Sequence, residues 1–377
     1  MDAEITVVGL GSVGSMALWR AAERGLGRVL GIEQFGVGHT HGSFSGETRL
    51  FRMAYHEGAR YVPILARSRE LWQQLEAMTG RQLLIETGVL SVGRESSEPI
   101  RNVLRSVTDH ALAHEVLRGA ALAERFPQHE FDPDDIGVLD RQGGALRPES
   151  GVISAVEQAR GHGAKVIENE KVLAVSVEID HVQLYTDRRV VRTGRLILAG
   201  GSWSAEMQPR LHDLIAIKPL VLTWFAPRSI ADFDAARFPG FIRDRGAVHF
   251  FGAPSLDGFS VKVSPDDRWA PVNRVDEVPH LLDPLELRAL GVQAQAFFPG
   301  LNPEPVRHSV HHDGFASDKV PIVDLDASGR VVTMAGFSGH GFKMAPALGE
   351  IAVELALDGV SPLHHADFAI EAHSPVR

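Results

Sequence analysis

One segment constrains the fold of this chain more than any other, Gly9-Leu10-Gly11-Ser12-Val13-Gly14. It follows the β-branched run EITVV at residues 4–8 and precedes a run whose apolar residues have helical spacing. In this pattern the first glycine permits a tight turn, the second lets the backbone approach a pyrophosphate, and the third permits close helix–strand packing. A second strand, RVLGIE, ends on Glu33, which is placed to accept hydrogen bonds from an adenosine ribose. The sequence therefore predicts a β-α-β dinucleotide-binding unit, although the motif alone does not distinguish NAD from FAD.

The composition is that of a globular protein with about two domains, because 377 residues exceed the usual size of one core. The formal net charge of −10 argues against nucleic acid as the main partner. The chain has no cysteine, which excludes disulfides, a thiolate nucleophile and a cysteinyl–flavin bond. No signal peptide or membrane-length apolar run is present, so we expect a cytoplasmic protein. We predict no metal site, because adjacent histidines such as His311-His312 point to opposite sides of a strand.

The remaining sequence alternates between helical and strand patterns. Helices are predicted over 59–78, over 150–160 with Ser150 as N-cap, and over 280–298. Strands are predicted at 87–92 and in succession from GAKVIE to RLILAGG, and the alternating apolar runs of 216–265 predict an antiparallel sheet. Residues 36–48 are rich in Gly, Ser, Thr and His, which is typical of a loop.

Three further motifs carry candidate chemistry. The glycine loop AGFSGHGFK, at 335–343 before a C-terminal helix, offers backbone N–H groups to an acceptor; the alternative is a tight turn with a buried Lys343 stem. Arg49 and Arg52 share a face if this segment is helical and then form a cationic site for a carboxylate; the alternative is a pair of surface arginines. Strand alternation places Lys262 on the face of Ser260, and this pattern by itself favours an outward, solvated lysine.

At these motifs the chain resembles the monomeric sarcosine oxidase and N-methyltryptophan oxidase family, which belongs to the glycine/D-amino-acid oxidase flavoproteins. The resemblance runs nearly from end to end. Its matching segments are VVGLGSVGS, GHTHGSFSGETRLFRMAY, ARYVPILARSRELW, GAPSLDGFSVKV, DKVPIVD and AGFSGHGFKMAPALGE. The segments GETRLFR and GFSGHGFK are the most specific of these.

The resemblance implies an α/β plus α+β fold in two interleaved domains. A Rossmann-type FAD-binding domain comprises 1–80, 146–215 and 313–377, and a mostly antiparallel-sheet substrate domain comprises 81–145 and 216–312. The implied activity is FAD-dependent oxidation of the C–N bond of a secondary amino acid, N-methyl or cyclic. Hydride passes to flavin N5, and O2 then reoxidises the flavin to give H2O2. The expected partners are a small amine and O2, with no nucleic acid or membrane, and we expect a monomer.

The resemblance also assigns roles to individual residues. Arg52 and Lys343 hold the substrate carboxylate, Arg49 lies close to the flavin ring, and Lys262 lies near N5, where a cation helps O2 to accept an electron. The implied FAD contacts are Gly9, Gly11, Ser12, Val13, Gly14, Glu33, His39, Ser43, Thr48, Val172, Gly200, Trp203, Gly336, Gly339, His340, Gly341 and Lys343.

Two departures from the family pattern limit these implications. Relatives attach FAD through a cysteine before the segment that matches DKVPIVD, and His311 or a neighbour falls there in this chain. We therefore expect non-covalent FAD, with a His311–flavin bond as the alternative. Relatives also place tyrosine and histidine near the substrate, where this chain has Phe251 and Asp266. This change makes a bulkier or cyclic secondary amine an alternative to sarcosine.

Other readings of the chain remain open at this point. A flavin dehydrogenase would pass electrons to a quinone or protein rather than to O2, and Lys262 favours the oxidase. A non-catalytic nucleotide-binding protein is supported only by Phe251 and Asp266, which stand where relatives place tyrosine and histidine near the substrate. An NAD-dependent dehydrogenase is disfavoured by the second glycine loop.

Overall fold

A computed structural model of the chain describes residues 1–265 and 269–376. The strands in these ranges are β1 (Ala3–Val8), β2 (Val29–Ile32), β3 (Arg49–Phe51), β4 (Leu84–Ile85), β5 (Val89–Arg94), β6 (His114–Arg118), β7 (Asp135–Asp140), β8 (Gly144–Leu146), β9 (Lys165–Ile167), β10 (Val172–Val177), β11 (Val182–Thr186), β12 (Val190–Leu198), β13 (Ile215–Pro227), β14 (Gly240–Arg245), β15 (Val248–Ala253), β16 (Val261–Pro265), β17 (Leu301–Ala316), β18 (Ile322–Leu325) and β19 (Val331–Ala335). The α-helices are α1 (Ser12–Glu23), α2 (Val62–Thr79), α3 (Glu98–Asp109), α4 (Gly119–Arg125), α5 (Pro148–Gly161), α6 (Ser204–Met207), α7 (Pro284–Phe297) and α8 (Ala345–Asp358).

The first sheet carries the nucleotide motif. Its strands lie in the order β10-β11-β12-β1-β2-β9, and β19 pairs with the C-terminal part of β12 and with β18. Strand β1 is parallel to both β2 and β12, with Val8 opposite Ile32 and Leu198. Since α1 connects β1 to β2, the predicted β-α-β unit is confirmed.

Helices α1, α5 and α8 pack around the largest apolar core. Helix α1 ends where Gly25 adopts a left-handed φ of 69°, as the glycine after the helical pattern predicts. Helix α8 approaches α1 so closely at Gly349 that a Cβ there would lie 2.6 Å from the backbone nitrogen of Ala17. The two ends of the chain therefore form one packed unit around the nucleotide motif.

The second sheet has eight strands. Its order is β17-β13-β16-β15-β14-β5-β7-β6, and of its pairs only β14–β5 is parallel. The antiparallel sheet predicted from 216–265 is therefore confirmed. One face of this sheet packs on α7 through an aromatic core that includes Phe225, Phe241, Phe250 and Phe297. A short third sheet has the order β3-β8-β4.

Two local expectations differ from the structure. Helix α5 begins at Pro148, so Ser150 lies inside the helix and is not its N-cap. Proline favours the first turn of a helix because its φ is already helical and it has no N–H to satisfy. Residues 49–51 form a strand rather than a helix, because they pair with β8. Within the described ranges, we find no helix that is both long enough and apolar enough to span a bilayer.

Candidate active site

The glycine motif forms one end of a narrow cleft. Gly9 has a φ of 83°, and a Cβ there would lie 2.4 Å from the carbonyl oxygen of Ala199. A Cβ on Gly14 would lie 1.8 Å from the carbonyl oxygen of Gly9, so α1 could not approach the strand if this residue were larger. Gly9, Gly11, Ser12 and Val13 line the cleft at the N-terminus of α1, where backbone N–H groups and the helix dipole favour an anion.

Glu33 lies at the end of β2 and is 3% exposed. One of its carboxylate oxygens accepts a hydrogen bond of 2.7 Å from the backbone of Leu10, and the other accepts one of 3.0 Å from Phe35. The Nε2 atom of His39 lies 3.4 Å from the same carboxylate. Glu33 therefore holds the glycine loop in place and also forms part of the cleft wall.

The cleft has a volume of about 130 Å³ and runs from the glycine motif to the second sheet. Residues from many separate segments of the chain line it. Among those expected from the sequence are His39, Ser43, Arg49, Val172, Gly200, Trp203, Gly339 and Gly341. The wall also contains residues that sequence reasoning did not select, namely Glu170, Lys171, Ser202, Met207, Leu220, His312, Asp313, Phe337 and Phe342.

A second cavity of about 350 Å³ adjoins the cleft. The two share four wall residues, Arg49, Leu220, Gly339 and Phe342. The other residues of the second cavity come mainly from the loop after β3, from the second sheet and from the second glycine loop, and they include Arg52, His56, Glu57, Ile242, His249, Phe251, His311, Lys319, His340 and Lys343. A long slot for a cofactor thus opens onto a separate chamber of small-molecule size.

Arg49 stands at the junction of cleft and cavity. Its guanidinium donates to the carbonyl oxygens of Ser43 at 2.7 Å, Ser45 at 2.5 Å and Thr48 at 2.8 Å. Burial lowers the pKa of Arg49 to about 10, which still leaves the group charged at neutral pH. The predicted shared helical face with Arg52 is wrong, because β3 is extended. Both arginines nevertheless line the cavity.

Arg52 is 5% exposed and points a partly unsatisfied guanidinium into the cavity. Its Nη2 atom lies 3.3 Å from Glu57, while Nε and Nη1 are buried and have no hydrogen-bond partner among the described residues. Burial alone would raise the pKa of Glu57, but the charges of Arg52, His340 and Lys343 lower it below its usual range. A buried cation with unused donors is typical of a site that receives an anion.

Lys343 follows the second glycine loop and faces the same cavity. Its Nζ donates to the carbonyl oxygen of His340 at 3.1 Å and lies 5.4 Å from the centre of the Tyr55 ring. Ser338 and Gly339 have positive φ values of 53° and 80°, which confirms the tight turn of this loop. The loop therefore contributes Gly339 and Gly341 to the cleft and Lys343 to the cavity.

Lys262 is 2% exposed, so the outward position favoured by strand alternation is wrong. All five residues of β16 are buried because one face packs on the aromatic core and the other lies under the loop that precedes β3. The Nζ atom donates to the carbonyl oxygens of Gly46 at 3.1 Å and Thr48 at 2.7 Å. Burial, and then the charge of Arg49, lower the pKa of Lys262 well below its usual value.

Five of the expected cofactor contacts lie away from the cleft wall. His340 and Lys343 line the cavity instead, and His340 bonds to the Tyr55 hydroxyl at 2.9 Å and to the carbonyl oxygen of Lys319 at 2.7 Å. The other three, Gly14, Gly336 and Thr48, are not among the residues that line the cleft. A Cβ on Gly336 would lie 3.4 Å from Cβ of Ala316, and the carbonyl oxygen of Thr48 accepts the bond from Lys262.

The adjacent histidines of β17 separate as strand alternation predicts. His311 lines the cavity, and its pKa is lowered to about 3 by burial and by the charges of Arg49 and Lys262. His312 lines the cleft and bonds to Ser202 at 2.9 Å. Asp313 accepts hydrogen bonds from Gly314 and Gly339, and burial raises its pKa to about 6. Asp266 lies outside the described residues.

Three features of the cleft fit an extended dinucleotide. Gly9 and Gly14 leave no room for a Cβ, the helix N-terminus faces the slot, and an acid closes the end of β2. The slot ends beside a cationic cavity, as a redox cofactor requires if its reactive ring is to meet a substrate.

Together the fold and the site define a flavin-dependent oxidoreductase. Residues 4–355 match the family model described as FAD dependent oxidoreductase, and the chain belongs to this family. It is 32% identical over 364 residues to monomeric sarcosine oxidase of Streptomyces avermitilis, covering 95% of this chain and 94% of the relative. It is also 30% identical to N-methyl-L-tryptophan oxidase of Yersinia pestis, covering 98% of this chain and 99% of the relative.

Solved structures support the fold at lower identity. The unusual amino acid oxidase NikD, essential for nikkomycin biosynthesis, superimposes with a TM-score of 0.86 at 21% identity, covering 99% of this chain and 98% of that one. Glycine oxidase from Geobacillus kaustophilus gives a TM-score of 0.79 at 16% identity, covering 98% and 99%. The predicted combination of a Rossmann-type unit with a second sheet domain is therefore confirmed.

Proposed function

We propose that this protein oxidises the C–N bond of a secondary amino acid, N-methyl or cyclic, with O2 as the final electron acceptor. The observation that carries the proposal is Arg52, a buried guanidinium whose Nε and Nη1 atoms lack partners beside a cavity that opens from the cofactor cleft. An amino acid carboxylate satisfies those donors and brings its amine carbon toward the cleft. The full-length relatives named for N-methyl amino acids support the same substrate class.

FAD is assigned to the unit formed by 1–80, 146–215 and 313–377, and the substrate to the unit formed by 81–145 and 216–312. When bound, FAD supplies the acceptor for a hydride from the amine carbon, and O2 takes up the electrons to give H2O2. The imine product then adds water and separates into an amine and a carbonyl compound. The remaining chemistry is that of the protein's own side chains.

The side chains contribute binding, orientation and charge. Arg52 and Lys343 hold the substrate carboxylate. Glu57 forms an ion pair with Nη2 of Arg52 and leaves the other guanidinium nitrogens for the substrate. Arg49 places a fixed positive charge at the junction of cleft and cavity. Lys262 lies beneath the loop that precedes Arg49, where a proton on its Nζ favours electron transfer to O2.

The deciding experiment is an anaerobic visible titration of the purified flavoprotein. We expect a yellow protein whose flavin absorbance is bleached by sarcosine, N-methyl-L-tryptophan or L-proline, followed by recovery of the colour and release of H2O2 when air is admitted. A yellow protein that no secondary amino acid bleaches would contradict the substrate class. Bleaching without reoxidation by air would contradict O2 as the acceptor.

A further inference from the structure

Lys262 belongs to a row of three side chains that crosses three neighbouring strands. Strand β13 lies between β17 and β16, and its Trp224 is the register partner of Arg307 on one side and of Lys262 on the other. Residues that lie directly opposite one another share a face of a sheet, so the three side chains are on the same face. The adjacent partners, Phe225 and Val261, belong to the aromatic core on the opposite face. The row of Arg307, Trp224 and Lys262 therefore lies on the face away from that core.

Both basic residues of this row contact the indole ring of Trp224. The Cζ atom of Arg307 lies 4.1 Å from the ring centre, and Nζ of Lys262 lies 5.3 Å from it. An aromatic face attracts a cation more strongly than a neutral amine, so the contact favours the protonated form of Lys262. Arg307 is exposed, whereas Trp224 is 3% and Lys262 is 2% exposed. The row thus connects the surface to a buried lysine.

The turn Gly46-Glu47-Thr48 connects Lys262 to Arg307. Its first and last carbonyl oxygens accept hydrogen bonds from Nζ of Lys262, and the carboxylate of Glu47 forms an ion pair with Arg307. The backbone N–H of Thr48 donates to the carbonyl oxygen of Gly46 at 2.7 Å, and Glu47 has a positive φ of 66°. This backbone conformation is unfavourable for a residue with a side chain, and such strain is typical of functional sites.

The charges around Lys262 act in opposite directions. The groups within electrostatic range come from β3, the turn, α5 and β17, and they include Arg49, Glu47, Glu149, Arg307 and His311. Burial, and then the charge of Arg49, lower the pKa of Lys262. Glu47 and Glu149 raise this pKa. The two carbonyl oxygens that Nζ contacts also favour the ammonium form, because hydrogen bonds to the charged form stabilise it. A positive charge on this lysine therefore depends on its neighbours.

We propose that Trp224 and Glu47 are positioning residues that keep the buried Lys262 protonated. This inference rests on the proposed function, in which a proton on Lys262 favours electron transfer to O2, and it adds the residues that retain that proton. Trp224 and Glu47 are not among the residues that line the cleft or the second cavity, so each acts through Lys262. Arg307 holds Glu47 at the surface end of the row.

The reaction of reduced flavin with O2 should then depend on pH. Because the protonated lysine supplies the positive charge that O2 needs, reoxidation is fast below the pKa of Lys262 and slows as the pH rises through it. Loss of the Glu47 charge or of the indole face destabilises the ammonium form and moves this pKa to a lower value. A residue that only supports the fold would slow reoxidation at every pH without moving the midpoint.

The first experiment observes the proton on Lys262 directly and needs neither a substrate nor O2. The chain has few lysines, and holoenzyme isotope-labelled at lysine Cε gives an NMR signal for each, of which the one that disappears in Lys262→Met belongs to Lys262. We expect the midpoint of its titration to fall by about one pH unit in Glu47→Gln and in Trp224→Leu, as the loss of one favourable charge or cation–π contact predicts. A midpoint that is unchanged in either variant would overturn the role of that residue. A wild-type Lys262 that is neutral at neutral pH would overturn the whole proposal.

The second experiment connects that proton to O2. The flavin is reduced by light in the absence of a substrate, and stopped-flow absorbance follows its reoxidation by O2 at several pH values. The pH at which the rate has fallen by half should move in the same direction as the NMR midpoint and by a similar amount. Slower reoxidation with an unmoved pH profile would show that Trp224 and Glu47 have only a structural role.

Conservative variants separate the loss of charge or contact from general damage. Glu47→Asp keeps the carboxylate and Trp224→Phe keeps an aromatic face, so their midpoints should lie nearer to that of the wild type than those of the Gln and Leu variants. Glu304→Gln, at an exposed position on β17, is the matched control and should leave the midpoint unchanged. If Trp224→Leu does not fold, Trp224→Phe and Glu47→Gln still provide the test. A Glu47→Asp midpoint as low as that of Glu47→Gln would contradict the role of the carboxylate charge.

Failure of the proposed function can be distinguished from failure of this inference. If no secondary amino acid reduces the flavin, the proposed substrate class is wrong, and if air does not reoxidise the flavin, O2 is not the acceptor. Neither result alters the NMR titration of Lys262, which by itself supports or overturns the roles of Trp224 and Glu47.

Discussion

The Nζ atom of Lys262 lies 2.7 Å from the carbonyl oxygen of Thr48, although the two residues are 214 positions apart in the chain. The same carbonyl oxygen accepts a hydrogen bond from Arg49, so one backbone group connects β16 of the second sheet to the arginine at the cleft. This contact joins the lysine to the segment that carries Arg49, which lines the cleft, although Lys262 itself is not among the residues that line the cleft. It also explains how a residue from the middle of an apolar strand is kept in a buried position.

Replacing Lys262 tests its role toward O2. Lys262→Met keeps the length of the side chain and removes its charge, so reoxidation of the reduced flavin by O2 should slow by about a hundredfold or more, as loss of one preorganised charge predicts. Anaerobic flavin reduction should change much less. Stopped-flow absorbance measures the two half-reactions separately, and Lys165→Met, at an exposed position, is the control. Equal slowing of both half-reactions would remove the assigned role.

Arg52 should govern substrate affinity. Arg52→Gln removes the charge that receives the carboxylate, and KM should rise by about tenfold or more because charge-assisted hydrogen bonds are lost. The fall in kcat should be smaller. Steady-state kinetics with the substrate identified by titration provide the measurement, and Arg288→Gln on the exposed side of α7 is the matched control. An unchanged KM would exclude Arg52 from the carboxylate site.

Gly14 should be essential for flavin binding. A methyl group there would lie 1.8 Å from the carbonyl oxygen of Gly9 and 3.0 Å from Cβ of Ala199, and backbone cannot yield by that much without moving α1 away from β1. Gly14→Ala protein should be colourless or unstable, as judged by the ratio of flavin to protein absorbance. Gly161→Ala, at the end of α5 with no atom within 4 Å of the added methyl, should remain yellow and stable.

The flavin should be released when the protein is denatured. No cysteine is present, and both ring nitrogens of His311 already lie near hydroxyl groups, Nε2 at 2.9 Å from Ser309 and Nδ1 at 3.3 Å from Ser45. After acid precipitation we expect all of the flavin in the supernatant. A yellow pellet from the wild type that turns colourless in His311→Leu would instead demonstrate a His311–flavin bond.

His129 should reduce stability in mild acid. It lies among Phe126, Phe131, Phe238, Phe241 and Phe298, and neither ring nitrogen has a hydrogen-bond partner among the described residues. Burial, and then the charge of Arg243, lower the pKa of His129 well below its usual value. The unfolded chain therefore binds this proton first, and stability falls as the pH drops below the unfolded value of about 6.5.

A leucine at this position isolates that contribution. Between pH 6 and pH 5, the free energy of unfolding of His129→Leu should fall less steeply than that of the wild type, by up to about 1.4 kcal/mol per pH unit. Urea denaturation at several pH values measures the difference. Parallel pH profiles of the two proteins would show that His129 accepts a proton in the folded state.

Residues 1–33 show how much structure the local sequence pattern predicts. The strand, the glycine turn, the helix that stops at Gly25 and the acid at Glu33 all follow from periodicity and from the steric freedom of glycine, and each is present in the structure. Arg49 and Arg52 do not share a helical face, because the pairing of β3 with β8, about 95 residues further along the chain, outweighs local preference. Lys262 was assigned to solvent from alternation alone, because alternation shows which residues share a face but not whether both faces are covered.

The grouping of His56, Asp244 and His249 beside the second cavity had no sequence signal at all. His56 lies in a loop, whereas Asp244 and His249 lie near the turn of the β14–β15 hairpin, and their proximity depends on the register of β14 with β15 and with β5. The sequence by itself determined the nucleotide-binding unit, the absence of a cysteinyl link to the flavin and the residue types that hold an anion. Only the tertiary structure decided which of those residues meet and what else faces the substrate. Contacts between distant segments arise from sheet register and core packing, and both depend on the sum of many weak interactions. The local periodicity of the sequence does not show these interactions.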